Sequence, residues 1–250
     1  MIVNARMYSA TPQAKQAWKA LFQEVLERAD LAWSIVDHDP PAPLGALWAR
    51  DDLGCAMMCG LPYSQRNPRP TLVAAPIPSP ARYGGRPVYF TDIAVRADAP
   101  YRTLEDTFGG VVGFTLPDSM SGHVALRRHL ASHGSNLYRK AVGGLLNARQ
   151  VIEALEERRI DVGPVDSYYY DLLKKDAPEF AAKVRIIDST RAAPIPPLVA
   201  TATLSTDTLE RLRASLLAAG EREELLLKGF AVPAPSDYDQ LKPWTGKDLP

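Results

Sequence analysis

The residues best placed to do chemistry lie in Phe114-Thr-Leu-Pro-Asp-Ser-Met-Ser-Gly-His123. An apolar run gives way there to a turn and then to a helix whose first residues are Ser119, Met120, Ser121 and Gly122. A helix start leaves backbone N–H groups without intrahelical partners, serine hydroxyls add donors, and glycine lets a ligand come close to the backbone. The chemistry this suits is non-covalent capture of an oxyanion. Ordinary capping by Asp118 or Ser119 accounts for the same letters, because Ser and Asp are common N-caps.

A second group, Tyr63, Tyr83, Tyr89, Phe90 and Thr91, falls after expected strand ends or in a long extended segment, where sheet crevices hold ligands. Its alternative is a core stripe with hydroxyls at the rim. Asp166, ahead of Tyr168, Tyr169 and Tyr170, either caps its own helix or holds a cationic ligand group. Asn147-Ala-Arg-Gln150 has capping-box spacing, and Arg149 sits against the local helix dipole, facing an anion, Asp161 or solvent. His129 and His133 have i, i+4 spacing without the acid of a zinc-protease motif, so a hydrated face is expected. Cys55 and Cys59 would stand roughly 13 Å apart on a strand and are read as core thiols. There is no GxGxxG after the first strand, no Walker-type lysine loop and no GxSxG elbow. The residue types nominate a binder rather than a catalyst, with no catalytic residue, metal or cofactor assigned.

The elements that must position these residues alternate. Ile2 to Met7 is a predicted strand, and Thr11-Pro12 caps a helix through Trp18, Leu21, Phe22, Val25 and Leu26. Strands follow at 31–36, 54–60 and 72–76, with a short helix at 43–50 between the first two. The long segment Pro87-Val-Tyr-Phe-Thr-Asp-Ile-Ala-Val-Arg96 is extended, rich in β-branched and aromatic residues, and reads as a crossing from one lobe to another. Beyond it come a helical turn at 103–108, a strand at 110–115, a helix from Ser119 to His133 ended by Gly134, an amphipathic helix at 151–159 and a short strand at 160–164. A helix at 166–175 and a strand at 183–188 precede the proline-rich return crossing Ala192-Ala-Pro-Ile-Pro-Pro197 and the apolar 198–202. The helix at 206–218 presents Leu209, Leu212, Leu216 and Leu217 on one face, and the last 20 residues read as a wrap holding Tyr238 and Trp244. The fold class is α/β, with residues 1–88 and 198–250 in one lobe, 99–190 in the other, and crossings at 89–98 and 191–197.

Composition narrows function further. With 250 residues there is room for one large domain or two smaller ones, and 29 basic against 29 acidic side chains leaves no global field for nucleic acid or an anionic membrane. No stretch approaches the about 18 consecutive apolar residues of a membrane span, and the first residues lack a signal-length apolar run. The expected location is periplasmic if a leader was removed and cytoplasmic if the chain is complete. Proline is abundant, 22 residues, and clusters beside both crossings.

Taken in order, Pro87 to Arg96, Asp118-Ser-Met-Ser-Gly122, Val151-Ile-Glu-Ala-Leu-Glu-Glu-Arg-Arg-Ile-Asp-Val-Gly-Pro-Val-Asp166 and Ala193-Pro-Ile-Pro-Pro197 resemble the substrate-binding proteins of phosphate, phosphite and phosphonate ABC importers. The resemblance covers most of the chain. It implies the two-lobed type 2 periplasmic-binding-protein fold, closing over a small anionic solute as the binding component of an importer or a related sensor. It also implies a partner permease, a monomer, and oxyanion donors at Ser119, the Met120 backbone and Ser121, with Gly122 beside them in the ligand site. Asp166 would lie near the far end of the solute and Tyr89 on the hinge side, with Tyr63 as a further lining residue. The chain departs from the family at Phe114 and Thr115, where relatives carry Tyr or Asn. It departs again at Gly144-Leu-Leu-Asn147, where many carry Gly-Ser-His, which makes Asn147 the candidate there. The alternative is an intracellular enzyme on the same scaffold, a lyase acting on a small carboxylate metabolite as in the futalosine route to menaquinone.

Overall fold

The structure is a computed structural model and describes residues 1–244. The chain divides into two compact units, one of Met1–Val88 with Pro194–Gln240 and the other of Tyr89–Ala193 with residues 241–244. The first unit opens with strand β1 (Ile2–Asn4) and helix α1 (Pro12–Arg28), whose Thr11 side chain accepts from the Ala14 amide while Pro12 fills the first turn. The chain continues through β2 (Ser34–Ile35), α2 (Leu44–Trp48), β3 (Leu53–Met57), α3 (Gly60–Gln65) and β4 (Thr71–Pro78). Strand β5 (Val88–Tyr89) is the first connector.

The second unit begins with β6 (Thr91–Arg96) and β7 (Val111–Gly113). A π-helical turn, Met120–Val124, then runs directly into α4 (Ala125–Leu130). It is followed by β8 (Lys140–Val142), α5 (Ala148–Glu156), β9 (Val162–Asp166), α6 (Ser167–Asp176), α7 (Pro178–Ala181) and β10 (Val184–Ser189). Strand β11 (Ala193–Pro194) is the return connector and pairs with β5. The first unit is completed by β12 (Leu198–Ala200), α8 (Thr206–Leu217) and β13 (Leu227–Ala231).

Two sheets organise these elements. In the first unit the order is β13-β4-β12-β3-β1-β2, with β1 parallel to β2 and β3 and the returning β12 antiparallel to β3 and β4. In the second it is β10-β6-β9-β7-β8, with β6 antiparallel to both neighbours and β7 parallel to β8 and β9. The apolar rows drive this packing: Trp18, Leu21, Phe22 and Val25 of α1 are all buried, as are Leu212 and Leu216 of α8. Helix α8 is further tied to α1 where Ser215 donates to the Val25 carbonyl at 2.7 Å. In the second unit Ile93, Val95, Val112, Leu126, Leu130 and Val162 form one cluster.

Several sequence expectations change in detail. Thr91–Arg96, read as part of a crossing, is a strand between β10 and β9, because its alternating apolar residues find a core on the second unit's sheet. The strand expected over 54–60 ends at Met57, and Gly60–Gln65 turns helical despite Pro62, which sits in the first turn where its missing donor costs nothing. Leu217 is not on the packed face of α8 but 49% exposed, its place in the interior being taken by Ser215. The helix expected to reach His133 stops at Leu130. Strands β8 and β13 were not anticipated. Tyr238 and Trp244 are buried as expected of a wrap, and residues 245–250 of that expected wrap lie outside the described residues.

Candidate functional site

The Ser119–Gly122 start is held at the end of β7 by a short circuit of backbone bonds. The Thr115 amide donates to the Gly122 carbonyl at 2.9 Å, and the Gly144 amide to the Thr115 carbonyl at 3.1 Å. Ser119 caps the turn, its Oγ accepting from the Gly122 amide at 3.1 Å, which leaves the serine's own O–H to donate elsewhere. The Val124 amide reaches back to the Ser119 carbonyl at 3.1 Å, the five-residue spacing of a π turn. π turns are uncommon and are frequent at functional sites. Met120 is fully buried.

Gly122 is required here by close approach. A Cβ at this position would stand 1.7 Å from Thr115 Oγ1 and 2.7 Å from Thr115 Cβ. The Thr115 hydroxyl is itself buried and has no hydrogen-bond partner among the described residues. Beside it, Phe114 stacks on His123 with ring centroids 4.6 Å apart, and His123 Nδ1 lies 2.9 Å from the Pro117 carbonyl.

Asp166 meets this turn. Its Oδ1 accepts from the Tyr168 and Tyr169 amides, both at 3.1 Å, so it caps α6 as one of its two expected roles allowed. Its Oδ2 accepts from Ser121 Oγ at 3.2 Å. Thr91, directly opposite Asp166 in the β6–β9 register, donates its hydroxyl to the Ser121 carbonyl at 2.9 Å. The start of α6 is pinned in turn by Ser167, which accepts from the Phe90 amide and donates its own amide to the Phe90 carbonyl. Burial pushes the Asp166 carboxyl up to about 7, with the neighbouring Asp92 charge adding to the rise and its three hydrogen bonds opposing it. Ser119, Met120, Ser121, Gly122 and Asp166 are thus one constellation, joined by Thr91 and Thr115.

The other candidates stand apart from it. Asn147 Oδ1 is committed to the Gln150 amide at 3.0 Å, capping α5. The reciprocal half of the expected capping box is displaced by one residue, because Gln150 Oε1 takes the Leu146 amide and not that of Asn147. Tyr89 is buried on the connector β5. Tyr63 belongs to the first unit, on α3, where its ring meets Tyr238 edge-on at 5.1 Å and lies under Arg69; its buried hydroxyl has no partner among the described residues. Burial raises its phenol above the usual range.

Arg149 lies 4.3 Å over the Phe180 ring and hydrogen-bonds Tyr169, while Asp161 accepts the Val111 amide at 2.7 Å. Cys55 and Cys59 are buried and not joined in a disulfide, and burial lifts the Cys55 thiol to about 12, which makes it inert at neutral pH. His129 is not merely hydrated: its Nε2 lies 2.7 Å from Asp188. Among the described residues no group of three His, Cys, Asp or Glu side chains is arranged to hold a metal ion, and no helix is long and apolar enough to cross a membrane. Sequence reasoning missed the joining role of Thr115. Its spacing from Gly122 was visible, but the closeness of the two follows only from the turn.

The family model for the periplasmic substrate-binding protein of the phosphonate ABC transporter matches residues 8–241. Curated protein sequences gave no significant match. Among solved structures, a binding protein component of an ABC phosphonate transporter from Pseudomonas aeruginosa aligns with a TM-score of 0.78 at 16% identity, over 97% of this chain and 85% of that one. PhnD1 from Prochlorococcus marinus, solved with methylphosphonate, aligns with a TM-score of 0.80 at 13% identity, over 98% and 96%. A Xanthomonas citri protein bound to chloride ion aligns with a TM-score of 0.67 at 17% identity, over 98% and 95%. The fold is that of type 2 periplasmic binding proteins. With its serine-capped turn and a family match over nearly its whole length, the chain belongs to the periplasmic substrate-binding proteins of phosphonate ABC transporters.

Proposed function

We propose that the protein binds a small phosphonate-class oxyanion at the Ser119–Gly122 turn, as a monomer, and delivers it to an ABC permease. The observation that carries this reading is the turn itself: a π-helical start capped by Ser119, with Ser121 and the Thr115 hydroxyl gathered beside it. In this reading Ser119 and Ser121 donate their hydroxyls to the anion, the amides at Met120 and Ser121 add backbone donors, and Gly122 lets Thr115 pack against the turn. Asp166 orients Ser121 and faces the bound group, while Thr91 fixes the turn against β6. Asn147 serves as a helix cap. Residues 89–98 and 191–197 serve as the crossings between the two lobes. The family match favours binding over the enzyme alternative.

Titration calorimetry with methylphosphonate tests the assignment. Wild type is expected to bind it. Changing Ser119 and Ser121 together to Ala removes two hydrogen bonds to a charged group, each worth about 1.5–3 kcal/mol, so the affinity is expected to fall at least roughly a hundredfold. An unchanged affinity in a folded double variant would place the anion elsewhere.

A further inference from the structure

The turn that offers donors also contains an acceptor. Ser121 gives its hydroxyl proton to Asp166 Oδ2, and the second carboxylate oxygen is held by the Tyr168 and Tyr169 amides, so the carboxylate cannot swing away without uncapping α6. An anion drawn to Ser121 therefore arrives within reach of Asp166 Oδ2. A fully deprotonated oxyanion beside an ionised carboxylate is repelled; one shared proton turns the same contact into a short, charge-assisted hydrogen bond.

The groups around Asp166 set its readiness to share that proton. From β6 it faces Asp92, which is buried, accepts from Ser189 at 2.7 Å and disfavours a second negative charge. From the π turn it faces Ser121, with His123 on the same turn bonded to the Pro117 carbonyl. On α6 itself stand Tyr168 and Tyr169, and α5 brings Arg149 and Glu153 to Tyr169. Burial and Asp92 together push the Asp166 carboxyl up to about 7, into the range where it exchanges protons under ordinary conditions. Thr115 supplies an independent sign of a ligand here. Its hydroxyl is more than nine-tenths buried, has no partner among the described residues and lies against Gly122.

We propose, building on the oxyanion-binding reading above, that the site takes its phosphonate together with one proton, held between a phosphonate oxygen and Asp166 Oδ2, while Ser121 turns its hydroxyl onto a second oxygen. The proton arrives on either partner: a hydrogen phosphonate monoanion meets the carboxylate, or a dianion meets the carboxylic acid. Both routes give the same complex. Above the pH at which either free partner still holds a proton, binding must draw one from solvent.

The test is calorimetry of methylphosphonate binding between pH 6 and 9, repeated in buffers of different ionisation enthalpy, on wild type and Asp166→Asn. Asparagine keeps an oxygen for the Tyr168 and Tyr169 amides, and circular dichroism checks that the variant is folded. Wild type is expected to lose about tenfold in affinity per pH unit at the alkaline end, with close to one proton taken up per solute. Asp166→Asn, which presents an amide donor in place of the acceptor, is expected to show no alkaline loss. Measurable wild-type binding with a flat alkaline profile and no proton uptake overturns the shared proton and leaves the site standing. Absence of methylphosphonate binding at every pH overturns the site and this proposal together.

Discussion

Asn147 and Asp166 begin successive helices of the second unit with the same device. Each lends a side-chain oxygen to amides of the first turn, Asn147 to Gln150 at 3.0 Å and Asp166 to Tyr168 and Tyr169 at 3.1 Å. What separates them is the atom left over. In asparagine it is an amide nitrogen, a donor; in Asp166 it is a second oxygen, which accepts from Ser121 and carries a titratable charge. A cap is a structural expedient wherever helices start. It becomes part of a binding site when its spare atom meets the donors of another helix start.

The largest expected effect comes from filling the tight contact between the turn and Thr115. Gly122→Ala would set a Cβ 1.7 Å from Thr115 Oγ1, and because Thr115 branches at its own Cβ it has little room to yield. A loss of about 1–3 kcal/mol in stability is expected, read by urea titration, and Thr115→Ala on top should recover part of it. The α5 cap, remote from this contact, should be unaffected in hydrogen exchange.

The next difference is in pH. The Asp166 carboxyl is raised to about 7, so the folded protein holds its proton where the unfolded chain has lost it. Stability of the ligand-free protein should therefore fall as pH rises from about 4 to 7. Asp37, Asp52, Asp98 and Asp106 are all held below the usual range by their partners, and their contribution is lost progressively below about pH 5, so it opposes the Asp166 trend only at the acid end of this window. Thermal melts at intervals from pH 4 to 7 should show the decline in wild type and a flatter curve for Asp166→Asn. A wild-type melting temperature that rises steadily across the window would contradict the carboxyl's assigned state.

The smallest effect is the pure cap. Asn147→Ala should cost about 1 kcal/mol of stability, the usual value of a lost N-cap, and leave the slope between pH 4 and 7 as it is in wild type. If Asn147→Ala instead weakened methylphosphonate binding as strongly as the paired serine substitutions, the distinction between the two caps would collapse.

Much of this architecture can be read from the letters, and the failures have identifiable causes. Thr11-Pro12 announces α1 because the cap and the missing proline donor are both local effects. The Ser119–Gly122 motif is legible for the same reason. By contrast, β8 is a three-residue strand with no fully buried residue, and it forms because β7 offers it an edge, a fact of tertiary structure. Likewise Gly229 inside β13 and Pro62 inside α3 argue against the elements that the sheet and the first-turn position permit. In the site, the adjacency of Asp166 and Ser121 depends on the β6–β9 pairing and on a π turn, neither of which the spacing of the two residues reveals. Leu217 shows the limit of periodicity: its place on the apolar face is nominal, and a buried Ser215 bonded to the Val25 carbonyl holds the helix instead.

A crystal structure of the protein grown with methylphosphonate tests the central claim most directly. The expected result is a tetrahedral group with oxygens within about 3 Å of Ser119 Oγ and Ser121 Oγ and one oxygen facing Asp166. A methylphosphonate seated away from this turn, with the Ser121–Asp166 bond undisturbed, would contradict it.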